Sequence, residues 1–193
     1  MTYMGFDQSG FIKLHDMVWI YKNFLSEEEI NRAIKNIEAG KVVEIRDTKA
    51  KKIQFNGQFI AKKIQSLINS TNTYTGGDIV AFDTPINTFW PAHNDNPDSS
   101  NVAYEKVSGM VGYLNEFEGG ELLYPDYGII IKPEPGDLVI HHSIAVHAVA
   151  LTKSDRRLTY TCELYRIKED FPENEKQEAI DFLVNQKYNS RYE

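Results

Sequence analysis

Residues 136–165 read GDLVIHHSIAVHAVALTKSDRRLTYTCELY. Three short apolar runs lie in or across this stretch: Asp137–Ile140, Ile144–Ala150 and Arg157–Tyr165. The same rhythm runs upstream through Asp78–Phe82, Val107–Leu114, Glu121–Tyr124 and Ile129–Ile131. Runs that recur about every 8–12 residues between Gly, Pro, Asn and Asp indicate a sandwich or barrel rather than βαβ units. Gly119-Gly120 and Pro135-Gly136 are strong turn marks within it. The last run alternates. Leu158 and Tyr160 share one face, and Thr159 and Thr161 share the other with Arg157.

Outside this β region the chain reads as mixed. Asp16 to Phe24 carries Val18, Trp19, Ile20 and Tyr21 and suits a strand. Ser26 is placed to cap a helix, with Glu29 where a capping box wants it. Ile30, Ala33, Ile34 and Ile37 give that helix an apolar stripe, and Gly40 ends it. A second helix is predicted over about Gln58–Ile68, and a last one over about Glu173–Gln186. The first two helices are expected to pack on one face of a sheet. We find no repeat, low-complexity tract or linker, which leaves one domain over 1–193. Its N-terminal strand and supporting helices occupy 1–72, its β core 73–167, and its C-terminal helix 168–193. The fold class is mainly β (α+β).

The chain has 193 residues and is 41% hydrophobic and 25% charged, ordinary for a folded globular protein. A chain of this length buries roughly 70% of the surface its unfolded form exposes, so it needs no covalent staples. The net charge of −7 argues against a sequence-indifferent nucleic-acid binder, which needs a cationic footprint. The one cysteine, Cys162, excludes an intramolecular disulfide and a cysteine-cluster zinc site, and reads as a small buried apolar residue. No apolar run approaches the ~20 residues of a membrane span, and Met1 to Gly10 lacks the order of a secretory signal. The expectation is a cytoplasmic protein with neither membrane nor nucleic acid as partner.

His93-Asn94-Asp95 carries the chemistry. In extended backbone, residues i and i+2 point to one side, so the imidazole and carboxylate can grip one cation. Asp95 has a plainer alternative as a turn cap in the Asn/Asp/Pro-rich stretch Asn94–Asp98. A third donor would come from His141, His142 or His147. Two histidines and one carboxylate with open positions form the facial triad of non-haem Fe(II) oxygenases. Ten residues after His147 stands Arg157. An arginine pointing into a barrel is an uncompensated buried charge unless an anion meets it. A dicarboxylate would do so with bidentate geometry.

In these residues the chain resembles the Fe(II)/2-oxoglutarate-dependent dioxygenases, specifically their prolyl 4-hydroxylase-like branch. The resemblance covers roughly Asp78 to Arg166, with a fainter echo at Asn23–Glu28, which is similar to the family's opening strand and helix. Its pieces are His93-Asn94-Asp95, Tyr113-Leu114-Asn115, Glu118-Gly119-Gly120-Glu121-Leu122, Lys132-Pro133, Pro135-Gly136-Asp137, His147-Ala148-Val149 and Arg157. It implies a double-stranded β-helix, the jelly-roll barrel of cupins. It assigns His93, Asp95 and His147 to Fe(II), and Arg157 and the Tyr113 hydroxyl to the far carboxylate of 2-oxoglutarate. Thr159 lies on the Arg157 face and is a further candidate neighbour. Arg156, the competitor of Arg157, would then point outward. No catalytic side chain is implied beyond the metal centre.

The resemblance implies dioxygen as co-reactant and ascorbate as reductant. The reaction would be hydroxylation of an unactivated C–H bond coupled to loss of CO2 from 2-oxoglutarate and release of succinate. Related halogenases lack the carboxylate, so Asp95 favours hydroxylation. The implied substrate is a peptidyl proline in a peptide or protein, as for procollagen-type prolyl 4-dioxygenases. Alternatives are a free amino acid or other small molecule, or a non-catalytic metal-binding β-barrel. Repair of alkylated nucleic acid is disfavoured, because Glu163 stands where those enzymes carry a second arginine. The chain also has Asp83, beside Phe82, near the place where many prolyl hydroxylases have a site tyrosine. His141 or His142 must face inward, as spare ligand, partner of a ligand or substrate contact. Phe89 and Trp90 either line the entrance or pack. The polar segments Thr84–Ser100 and Thr48–Asn56 are candidates for a lid or groove, and Tyr113 has the alternative of an ordinary core tyrosine.

Overall fold

The computed structural model describes residues 10–46, 48–68, 73–95 and 103–184. Among them, antiparallel strands form two sheets. The larger sheet takes the order β1 (Phe11–His15), β2 (Val18–Tyr21), β10 (Leu138–His142), β7 (Tyr104–Tyr113), β12 (Arg156–Ile167), β5 (Thr73–Pro85), β4 (Lys51–Gln54) and β3 (Lys41–Ile45). The smaller runs β6 (Trp90–His93), β11 (His147–Val149), β8 (Leu122–Tyr124) and β9 (Ile129–Ile131). The expected two-sheet β barrel is thus present, with helices against the larger sheet.

The alternation of each strand sorts its side chains into two cores. On β12, Leu158, Tyr160, Cys162 and Leu164 join a cluster with Ala33 and Ile37 of α1 (Glu27–Glu38) and Ile60 and Ile64 of α2 (Gln58–Gln65). On β10, Leu138 and Ile140 do the same, whereas Val139 faces the other way. There it meets Val18, Ile20, Tyr113, Leu122, Tyr124 and Ile131, which fill the space between the sheets. The inner face of the larger sheet is therefore the one bearing His141, Arg157 and Thr159, since these alternate with the outer apolar residues.

Local signals explain most element ends. Ser26 Oγ accepts from the Glu29 N–H at 3.3 Å and Glu29 Oε2 accepts from the Ser26 N–H at 2.8 Å, the capping box expected. The strand expected over Asp16–Phe24 is shorter, because β1 and β2 turn at Asp16-Met17 and Asn23 adopts left-handed backbone (φ 53°). The second helix stops at Gln65 rather than Ile68, where Ser66 caps it and its hydroxyl donates to the Lys63 carbonyl. Within the segment read as a loop, Thr48–Asn56, Lys51–Gln54 is a strand that pairs with Asp83–Val80 of β5. The helix α3 covers Glu173–Val184, and the two further residues expected in it lie outside the described residues. The candidate lid Thr84–Ser100 is strand to Pro85 and again from Trp90 to His93, and its residues 96–100 lie outside the described ones.

Both outermost strands are irregular: the register slips between Lys13 and His15 in β1 and between Val42 and Glu44 in β3. Among the described residues no helix is long and apolar enough to cross a membrane.

Gly112 of β7 has no side chain because the ring of Tyr160, fully buried on neighbouring β12, lies where a Cβ would be. Gly112→Ala should cost about 1–3 kcal/mol through overpacking, read as a lower urea midpoint at unchanged slope. Burial pushes the Cys162 thiol up to about 12. The native protein should therefore resist thiol reagents at pH 8, while the urea-unfolded chain reacts once.

Candidate functional site

The two sheets bring the distal histidine to the His93-Asn94-Asp95 motif. His93 ends β6, His147 opens β11, and these two residues are direct partners across the antiparallel pair. The donor atoms of His93, Asp95 and His147 all lie within 4.8 Å of one another. The Nε2 atoms of both histidines are 3.9 Å from Asp95 Oδ1.

Hydrogen bonds fix which nitrogen of each ring carries the proton. His93 Nδ1 is 2.8 Å from the Pro91 carbonyl, and His147 Nδ1 is 3.0 Å from that of Ala145. A carbonyl can only accept, so both Nδ1 atoms donate, and in the neutral ring the lone pair lies on Nε2. Burial and the neighbouring His141 push the pKa of His147 down to about 4, which keeps its ring neutral, as a ligand must be. Burial alone would raise the Asp95 carboxyl. The hydrogen bond from His141 and the charge of the nearby Lys106 ammonium oppose it and hold the group below the usual carboxylate range. Two imidazoles presenting Nε2 and a carboxylate fit a first-row divalent cation with open positions.

His141 faces inward, as one of the pair must, but in the opposite tautomer. Its Nε2 is 3.1 Å from Asp95 Oδ2, a carboxylate oxygen, so this nitrogen donates. Its Nδ1 accepts from the Tyr124 hydroxyl at 2.9 Å. A ring with its site-facing nitrogen protonated offers no lone pair there, so His141 partners a ligand and is not one. His142 lies on the other face of β10, half-buried.

Deeper between the sheets lies Arg157, only 3% exposed. Its guanidinium carbon sits 5.3 Å above the Tyr113 ring and 5.2 Å from that of Phe117, and Nε donates to the Gly120 carbonyl at 3.1 Å. Among the described residues no carboxylate forms an ion pair with it. Arg156 points outward as expected, with Nε donating to Asp83 at 3.2 Å. The Tyr113 hydroxyl lies against the Arg157 guanidinium, and the buried Thr84 and Thr152 hydroxyls have no partner among the described residues. Thr84 is its cross-strand neighbour on β5. Thr152 Oγ1 and Arg157 Nε lie 3.3 Å and 3.2 Å from where a Cβ on Gly120 would sit. A buried cation with hydroxyl donors beside it fits the carboxylate of a bound anion. Thr159 is buried on the same strand face, paired with Tyr113 and Phe82.

All six site residues expected from sequence therefore fall on this region, in two groups. Sequence reading missed Tyr124, Lys106, Thr84, Thr152 and the small Gly109. Thr84 and Thr152 had no signal, because each enters through a strand pairing or a turn contact. Trp90 is half-buried, edge-on to Phe82 at 5.5 Å and under the Arg46 guanidinium at 4.7 Å, whereas Phe89 is 55% exposed.

No family model and no curated protein matches the chain. Solved structures do. A viral collagen prolyl hydroxylase from Paramecium Bursaria Chlorella virus-1, solved as a 2OG complex, superposes with a TM-score of 0.64 at 18% identity, over 79% of this chain and 97% of that one. A Trichoplax adhaerens prolyl hydroxylase in complex with a hypoxia inducible factor peptide fragment gives 0.59 at 18% identity over 91% of each chain. HygX from Streptomyces hygroscopicus, with nickel, 2-oxoglutarate and hygromycin B bound, gives 0.59 at 9% identity over 77% of this chain and 82% of that one. The likeness establishes a shared double-stranded β-helix fold.

Stability of the metal-free protein should follow His147. Between about pH 6.5 and 4 the unfolded chain takes up a proton there that the folded protein does not. The thermal midpoint should therefore fall as the pH drops through this window. His142, pushed down by burial and by Arg166, adds to the fall. His147→Gln should flatten the curve by its own share, measured by thermal scans at several pH values.

Proposed function

We propose that the protein is an Fe(II)- and 2-oxoglutarate-dependent dioxygenase, prolyl 4-hydroxylase-like, that hydroxylates an unactivated C–H bond of a peptidyl proline. The carrying observation is Arg157: a buried guanidinium with no carboxylate ion-pair partner among the described residues, in a fold that also gathers a His-Asp-His donor set. Few groups other than a dicarboxylate cosubstrate would need both. In this reading His93, Asp95 and His147 hold Fe(II) through two Nε2 lone pairs and Oδ1. Arg157 pairs with the far carboxylate of 2-oxoglutarate, and the Tyr113 hydroxyl, kept protonated by burial, donates to it. Thr159 lines the same wall, and Thr84 and Thr152 add hydroxyls.

When bound, ferrous iron supplies the redox chemistry that couples loss of CO2 from 2-oxoglutarate to transfer of one oxygen atom from dioxygen to the C–H bond, leaving succinate. The protein residues bind and orient. The aromatic rings of Tyr113 and Phe117 cover the guanidinium, keep water from it and strengthen its pairing with an anion. The apolar layer of Leu122, Ile131 and Val139 closes the interior. Phe89 and Ile144, both exposed and close in sequence to the metal donors, suit contacts with a peptide. The peptide complex of the Trichoplax protein supports this class. A free amino acid or other small molecule is the second reading, favoured by the hygromycin B complex of a protein with this fold. Ascorbate as reductant, a single domain and a cytoplasmic setting belong to the same proposal.

The test is succinate release from 2-oxoglutarate with Fe(II), ascorbate and libraries of proline-containing peptides, with mass spectrometry for the gain of one oxygen. His147→Ala should abolish turnover. Arg157→Ala should raise the 2-oxoglutarate requirement by the equivalent of about 2–5 kcal/mol, while Arg156→Ala leaves it unchanged. Oxygen gain only on small molecules would favour the second reading. Absence of both turnover and 2-oxoglutarate binding would favour a non-catalytic metal-binding barrel.

A further inference from the structure

The two oxygens of Asp95 have different neighbours. Oδ1 faces the Nε2 atoms of His93 and His147, each 3.9 Å away. Oδ2 takes the hydrogen bond from His141 Nε2 at 3.1 Å. The Lys106 ammonium is also near Oδ2, at 3.7 Å, but Glu163 engages it more closely at 2.5 Å. The directed bond to Oδ2 is therefore the one from His141.

That bond is built in from three sides. His141 is 1% exposed and belongs to β10, in the middle of the larger sheet, so its backbone is fixed. Tyr124, fully buried on β8 of the opposite sheet, donates its hydroxyl to Nδ1 and so leaves the proton on Nε2, where Asp95 needs it. Gly109 on β7 is the cross-strand partner of His141. A Cβ there would collide with Asp95 Oδ2 and come within 2.7 Å of His141 Nε2. The pair thus meets in a notch that any side chain at position 109 would fill.

We propose that His141 is a positioning residue for the metal centre. It holds Asp95 by Oδ2 so that Oδ1 alone is presented to the cation, with Tyr124 setting its tautomer and Gly109 leaving the room. The inference rests on reading His93, Asp95 and His147 as a metal site. Carboxylate ligands are commonly oriented by such outer partners, whose loss costs roughly 10–100-fold in metal affinity.

Co(II) titration of the purified metal-free protein tests it, followed by visible absorption and calorimetry, with circular dichroism to report folding. His141→Leu should weaken Co(II) binding roughly 10–100-fold and alter the cobalt absorption bands. His141→Gln retains an amide N–H to give Oδ2 and should recover most of the affinity. Gly109→Ala should resemble His141→Leu. Tyr124→Phe should weaken binding in the same direction by a smaller factor, and it carries the test if His141→Leu does not fold. A folded His141→Leu that binds within about threefold of the parent overturns the proposal. So does a folded His141→Gln as weak as His141→Leu, which would make the ring a ligand or a spacer. Failure of the unmodified protein to bind Co(II) is a separate result that removes the metal reading itself and the proposal with it.

Discussion

A guanidinium enclosed between two β-sheets is tolerable only where its charge is answered. Arg157 is enclosed in this way, with two aromatic faces and one backbone carbonyl around it. These contacts soften the desolvation of the cation but do not neutralise it. In a low-dielectric interior the residual positive potential around such a group favours an anion over a neutral neighbour. The same inner face of the larger sheet also carries His141, which binds the Asp95 carboxylate, so a buried cation and a buried carboxylate share one interior without forming an ion pair with each other among the described residues.

Strand alternation achieves the separation. The larger sheet turns Leu158, Tyr160, Leu138 and Ile140 toward the helices, and so can turn Arg157, Thr159 and His141 inward at no loss of outer core. Asp95 follows the end of β6 and is claimed by His141 and Lys106, while Arg157 donates to the Gly120 carbonyl. Each charge thus has its own set of neighbours.

Much of this was legible in the residues. The His93-Asn94-Asp95 spacing placed two donors on one side, and the Leu158/Thr159 alternation placed Arg157 inward, because both depend only on backbone period. The capping box at Ser26 was readable for the same local reason. What sequence did not carry depends on partners distant along the chain. Lys51–Gln54 has no alternating apolar pattern and becomes strand through its pairing with β5 on one side and β3 on the other. His141 could be read as inward, but its choice between ligand and partner was decided by Tyr124, seventeen residues away and on the other sheet. Gly109 looked like any strand glycine until the atoms it makes room for were known.

The slipped registers at β1 and β3 bear on how the molecule coexists with copies of itself. Among the described residues, β1 and β3 are the outermost strands of the eight-stranded sheet, the positions where a sheet is most exposed to pairing with another chain. Each margin carries a bulge and at least one lysine, Lys13 in β1 and Lys41 in β3. A kinked border studded with charged side chains aligns poorly with its own image, so stacking into fibrils is discouraged even though Ile45 is 67% exposed there.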